Sequence, residues 1–426
     1  MANEDSTRGL MYPALQRFNN ALENLDSFRK EKCLLDNIGL LDNFFTGFRS
    51  TTFVLQKSLA HTDYLETYSE LCDKYFNTEN SKWFVRTRNE IEKEQPFDLT
   101  KSLIITVFQP QSALVLTSKV ISVENDVPYD KLIEGIKRLL IPLNLVEVHF
   151  SIEFCFSKAG DDHDLYDALM EGISSMIGFL TELYGYIGDS TPLCDELISR
   201  INASTFNKMP KDALFIDDCV FYPETNQFEF GDRLSVKLPT KEPVPISNIY
   251  KAIHYPGRLS DSKDFLKAIV KMHCPLYVMQ KTIMPTFFIV DNKDNCIIDS
   301  YQASIRTTTY RKINDLAIHI MKGEIKHITL VYEAYSYEAI SFDAINQLNV
   351  PYPERVKSST GELLVFDQIG RFFKYRSYKV DVKKISDPKY VKAVLKQRPE
   401  ENGDIEHSLF LPLYNAFKEL GETKTS

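Results

Sequence analysis

Arginine, asparagine, lysine and glutamate crowd the stretch from Arg86 to Glu94, which reads Arg-Thr-Arg-Asn-Glu-Ile-Glu-Lys-Glu. A guanidinium is a planar, permanently charged fork suited to carboxylates and phosphates. The same spacing also sets Arg86 four residues before Glu90 and Arg88 four before Glu92, the pattern of a solvated helix face. Lys93 would hold an anion well. An ordinary lysine, with a pKa of about 10.4, moves protons badly at neutral pH. Other residue groups carry chemistry on paper. His149 and Glu153 fall on one face of a strand pattern, where they are either a proton-transfer pair or part of an exposed polar face. Asp161-Asp162-His163-Asp164 has the atom types of a metal site, but it stands just before a helix pattern, where an acidic residue caps free N–H groups. Glu333 lies inside an apolar strand and, if buried, needs a partner such as Arg355 or Arg376. No glycine-rich phosphate loop and no GxSxG nucleophile turn occurs.

Composition limits what these residues can serve. A chain of 426 residues is long for one core, so two or more domains are expected. Its 43% apolar fraction is globular, and 28 Phe with 22 Tyr can fill large cores. The net charge of −9, with both signs interspersed, gives no global field for nucleic acid, so any RNA contact must be local. The cysteines (33, 72, 155, 194, 219, 274 and 296) form no CxxC pair. Scattered in this way, they read as reduced thiols of a cytoplasmic protein rather than disulfides or zinc ligands. Met1 to Arg8 is polar with no apolar run behind it, so no signal peptide is expected. No segment approaches the ~20 apolar residues of a membrane span, and neither membrane contact nor a cofactor is expected.

The elements that must position the charged stretch come from periodicity. Pro13 suits a first helical turn, and Leu15, Phe18, Leu22 and Leu25 follow at helical spacing. A second helix, capped by Asp36 or Asn37, carries Phe45, Phe48, Thr52, Leu55 and Leu59 on one face. Leu65, Tyr68, Cys72 and Tyr75 mark a third. The fourth runs from about Lys82 to Glu94, where Pro96 ends it. Short loops between such helices imply an antiparallel bundle. The period then changes to strands at Leu103–Phe108 and Ala113–Val123, a short helix at Tyr129–Leu140, and strict alternation from Val146 to Phe156. Helical spacing returns at Leu165–Leu180 and Leu193–Ile201. We read residues 1–205 as a helical domain with a β-rich insertion at about 103–156. Residues 206–426 read as an α+β domain: hairpins at 215–230 and 286–299, strands at 328–337, 362–366 and 372–382, and helices at 310–320, 388–396 and 409–420. The fold class is thus α+β in two domains.

Two segments carry a resemblance. Phe48-Arg49-Ser50-Thr51-Thr52-Phe53-Val54-Leu55-Gln56-Lys57 resembles the second-helix segment of HEPN-like proteins. Trp83-Phe84-Val85 followed by Arg88-Asn89, with Glu94 and Pro96-Phe97 trailing, resembles the motif helix of the same superfamily, in the same order and spacing. The resemblance covers the first 100 residues well and the rest of the helical domain loosely. It implies a helical bundle that dimerises with two motif helices facing across a cleft, in a bacterial defence or toxin–antitoxin type of system. It also implies metal-independent RNA cleavage: an Arg holds the scissile phosphate, a His separated from it by four to six residues moves protons, and an Asn orients the pair. Arg88 and Asn89 match, and Lys93 stands where the His is expected. The implied catalytic set is Arg88, Asn89 and Lys93, with the His role degenerate; the implied RNA contacts are Arg49 and Arg86. The alternative is a non-catalytic scaffold that self-associates and holds a protein partner. The strand around Glu333, followed by Glu354-Arg355, resembles a C-terminal module of bacterial proteins to which no activity attaches.

Overall fold

The computed structural model describes residues 9–123, 127–161, 163–188, 190–232, 242–258, 261–337, 350–401, 405 and 408–422. Helices α1 (Tyr12–Asp26), α2 (Leu34–Leu59), α3 (Leu65–Phe76) and α4 (Glu79–Lys93) come first. Pro13 sits in the first turn of α1, whose Leu15, Phe18, Leu22 and Leu25 are buried against α2. Gly47 permits that close crossing, because a Cβ there would come within 2.9 Å of the Ala21 Cβ. Neither Asp36 nor Asn37 caps α2, which begins after Cys33. Asn37 is buried instead, and its amide bridges the backbone N–H and C=O of Arg29. Helix α4 starts earlier than expected because the Thr78 side chain accepts from the Ser81 N–H.

Aromatic packing fixes α4 on α2. Phe84 meets Phe48 at 4.7 Å and Phe45 at 5.1 Å between ring centroids. Trp83 lies 5.5 Å from Phe45, and Phe97, just past the end of α4, stacks on the same ring at 5.4 Å. The Phe97 N–H donates to Asp42, which ties the chain after α4 back to α2.

The first antiparallel sheet has the order β2-β1-β3-β4-β5, with β1 Leu99–Phe108, β2 Val115–Ser122, β3 Val148–Lys158, β4 Ile216–Tyr222 and β5 Gln227–Phe230. Leu103, Ile105 and Val107 of β1 pair with Phe154, Ile152 and Phe150 of β3, and this face buries against the helices. Helix α5 (Tyr129–Leu140) lies between β2 and β3; α6 (Leu165–Ile187), α7 (Pro192–Asn202), α8 (Thr205–Lys208) and α9 (Lys211–Phe215) lie between β3 and β4. The expected division at 205/206 falls before β4, yet β4 pairs with β3 from Val148↔Phe221 to Glu153↔Ile216. Strands on both sides of that position therefore share one sheet.

The second antiparallel sheet has the order β12-β11-β10-β9-β7-β8-β6: β6 Val244–Pro245, β7 Thr286–Asp291, β8 Asn295–Ser300, β9 Ile325–Ser336, β10 Gly361–Gly370, β11 Phe373–Asp381 and β12 Glu400–Glu401. One face packs on α10 (Ile246–Ala252), α11 (Ser262–Gln280) and α14 (Pro388–Lys396) through Phe265, Ile269, Phe288, Val331 and Phe366. The other packs on α12 (Arg306–Met321) and α15 (Leu411–Glu422) through Phe287, Ile313, Leu330, Phe410 and Leu413. Helix α13 (Tyr352–Lys357) precedes β10. Helix α12 also touches β3 and β4, so it lies between the two sheets. The chain is thus mixed α+β with two antiparallel sheets. Among the described residues, no helix is long and apolar enough to cross a membrane.

Candidate functional site

On α4, Trp83, Phe84 and Thr87 are buried, Arg88 and Asn89 half-buried, and Arg86 and Lys93 exposed. Arg88 Nη2 reaches Glu92 Oε2 at 2.6 Å and Nη1 donates to Asn89 Oδ1 at 3.1 Å. Two of its donors are therefore committed within its own helix, and its buried Nε has no hydrogen-bond partner. The expected Arg86–Glu90 pair does not form; Glu90 accepts from Lys158 of β3 instead. Lys93 follows Arg88 by five residues, which places it about 140° round the helix and roughly 7.5 Å along it. Arg88 and Asn89 are thus side by side, and Lys93 stands in solvent beyond them.

Arg49 and Arg86 meet elsewhere. Both line a cavity of about 360 Å³ between α2, α4 and α6, together with Lys82. Its apolar walls are Phe45, Phe48, Phe76, Phe84 and Val85, and Asp and Glu do not occur among the residues lining it. The Arg49 guanidinium lies 4.4 Å over the Phe53 ring, and its Nη1 donates to Thr52 Oγ1 at 3.2 Å. Lys82 reaches outward to Glu79 at 2.7 Å. Gly172 of α6 completes the wall, because a Cβ there would meet the Phe84 ring at 2.4 Å. A ring pressed against α6 requires glycine at that position. Arg49 and Arg86 are the expected RNA contacts, whereas Lys82 is not among them, and Phe45 and Phe48 are expected only on the face of the second helix and not as walls of a site.

The polar face expected around His149 is not exposed. Strand β3 is buried on both faces at His149 and Ser151, because α12 covers the second one. His149 Nδ1 stands 2.9 Å from Thr307 Oγ1, and Nε2 stands 3.3 Å from Glu147 Oε1. Its partner is thus Glu147 rather than Glu153. Burial pushes the His149 imidazole below its ordinary pKa, so it is neutral. Burial pushes the Glu147 carboxyl up, but hydrogen bonds to His149 and to the Tyr352 N–H, together with the Arg355 guanidinium, hold it below the usual carboxylate range. Thr307, His149 and Glu147 have the residue types of a nucleophile, base and orienting acid, but the Thr307 hydroxyl donates to the Cys219 carbonyl at 2.9 Å rather than being offered to a base. All three are at most 2% exposed, so no substrate reaches them.

The remaining candidates resolve into structural roles. Glu333 is exposed and accepts from Thr282 Oγ1 and the Ile283 N–H, each at 2.8 Å; Arg355 pairs with Glu147 and Arg376 with Glu401. Asp164 caps α6, accepting from the Asp167 N–H. Asp161 accepts from Trp83 Nε1 at 2.7 Å, and Asp162 lies outside the described residues. No group of three or more His, Cys, Asp or Glu among the described residues could hold a metal ion. A larger cavity of about 880 Å³ lies between α12 and the β7–β8 hairpin. Its Asp212 and Asp315 reach Arg311 at 3.1 and 3.5 Å, and its Asp299 reaches Lys312 at 3.2 Å, so these carboxylates already have cations. Comparison of the chain with protein-family models, with curated proteins and with solved structures gives no match.

Proposed function

We propose that this chain is a HEPN-like protein of a bacterial defence or toxin–antitoxin type of system, which holds RNA in a dimer cleft at its α2–α4 face and does not cut it. The observation that carries this reading is the pairing of Arg49 and Arg86 around a cavity lined by no carboxylate, in a chain of net charge −9. Such a site supplies the local positive potential that the whole chain lacks. Arg88 supports the absence of cleavage, because Glu92 and Asn89 occupy the fork that a scissile phosphate would need. The proton-moving position is a lysine in solvent rather than an imidazole poised near neutral pH.

The test is an end-labelled single-stranded RNA incubated with the purified chain in EDTA and followed on native and denaturing gels. Retardation with the strand intact is expected. A strand cut by the wild type and spared by Arg88→Ala would restore an active nuclease and remove this reading.

A second reading, a scaffold that self-associates or holds a protein, is favoured by the outer strand of the first sheet. There β2 exposes Val115, Leu116 and Val120, the last at 71%. An apolar edge of this kind is a template for further strand pairing. Sedimentation of Leu116→Lys/Val120→Lys beside the wild type tests it: a dimer that the substitutions split, in a chain that binds no RNA, would put this reading first.

A further inference from the structure

We infer that the α2–α4–α6 cavity seats one unstacked base of a single strand, with the adjoining phosphate held between Arg49 and Arg86. This deepens the RNA reading above and rests on it. Three features of the cavity point the same way. Its walls are aromatic, and a nucleobase stacks on an aromatic side chain whatever its sequence, because every base has a π-face. Its volume of about 360 Å³ lies within the range of roughly 300–1,000 Å³ typical of small-molecule sites. Its charged residues are cations alone, so an apolar ring can enter while an anion stays at the rim.

The site is also built in advance. Phe48 and Phe84 are 7% and 4% exposed and are held 4.7 Å apart by packing, so seating a ring costs little ordering of the walls. The hydroxyls in the lining are already engaged. Thr52 Oγ1 accepts from Arg49 Nη1 and donates to the Arg49 carbonyl, and Ser81 Oγ accepts from Thr78. Few polar groups are left to read a base edge. The cavity therefore selects by stacking area, purine over pyrimidine, rather than by sequence. A base already paired in a duplex cannot enter without being flipped out, so single strands bind in preference.

The chain has one tryptophan, and Trp83 lies 5.5 Å from both Phe45 and Phe84 behind the walls, which makes it a built-in reporter. The experiment titrates the full chain with AMP, with ribose 5-phosphate and with a short oligoadenylate, reading Trp83 emission and, for a labelled oligoadenylate, anisotropy. Wild type is compared with Val85→Phe, which narrows the cavity mouth from a 36% exposed position, after circular dichroism establishes equal folding. AMP and oligoadenylate are expected to shift Trp83 emission saturably, ribose 5-phosphate to bind at least tenfold more weakly, and Val85→Phe to weaken both nucleotides at least tenfold. Oligoadenylate binding that Val85→Phe leaves at full strength would overturn the pocket and leave the RNA reading standing. AMP binding that Val85→Phe abolishes, without any binding of oligoadenylate, would overturn the RNA reading and support the cavity as a site for a base and its phosphate. Silence from every probe would overturn both.

Discussion

The α2–α4 cavity and the Glu147–His149–Arg355 cluster both gather charged and hydroxyl side chains, and they differ in access. In the cluster, a glutamate, an imidazole, a threonine hydroxyl and a guanidinium stand within hydrogen-bond reach, closer to a catalytic arrangement than anything on α4. Every one of them is buried, and they bond to one another, to the Cys219 carbonyl and to the Tyr352 N–H. At the cavity, two guanidiniums and an ammonium line open space beside aromatic walls; no carboxylate is in the lining, and Lys82 pairs with a carboxylate outside it, Glu79. Titratable types at close spacing therefore identify a candidate only when something can reach them. The cluster is a clamp between β3, α12 and α13, and the cavity is where a ligand can act.

The comparison breaks most visibly at Arg355. Arg355→Ala leaves Glu147 buried without its cation, and a buried ion pair broken on one side costs roughly 3–5 kcal/mol. Urea unfolding should show a loss of that size, and RNA affinity of the folded fraction should not change. A stable variant that lost RNA binding would make the cluster, not the cavity, the functional centre.

Gly172→Ala is expected to come next. Its Cβ drives into the Phe84 ring, so a loss of about 1–3 kcal/mol is expected, as for other overpacked sites. Displacing Phe84 also changes the cavity, so Trp83 emission of the free chain should shift, which Arg355→Ala should not cause.

Acid titration sharpens the same contrast with a smaller effect. The Glu147 carboxyl is held below its ordinary 4.5, so its contribution to stability is complete above pH 4.5 and is lost as pH falls through the lowered value. Neutral His149 works in the same direction, because the unfolded chain takes up a proton below about 6.5 that the buried imidazole resists. Thermal unfolding between pH 7 and pH 3 should therefore fall less steeply in Glu147→Gln than in the wild type. Equal slopes would mean that the clamp is not ionised as described.

Much of this was legible locally and the decisive parts were not. Asp387 and Pro388 predict α14 to the residue, since a cap and a first-turn proline act within one turn. The Arg88–Glu92 pair follows from i,i+4 spacing alone. Helix α11 escaped because it is apolar on most sides beneath the sheet, with Phe265, Leu266, Ala268, Ile269 and Val270 all buried, and carries Pro275 inside. Double burial of β3 depends on Thr307, 158 positions from His149, and no window of sequence contains that contact. The meeting of Arg49 with Arg86 likewise depends on how Phe45, Phe48 and Phe84 dock two helices. Residue types were visible early; their convergence is a property of the packing.

The most direct test is the anisotropy of a labelled single-stranded RNA across a salt series, for the wild type and for Arg49→Ala/Arg86→Ala. Both arginines stand half-buried or exposed on helix surfaces, so the variant should fold as the wild type does. Binding at least tenfold weaker is predicted, with a log–log salt slope shallower by about 0.7, the value for one lost phosphate contact on a single strand. Superimposable curves from the two proteins would contradict the account.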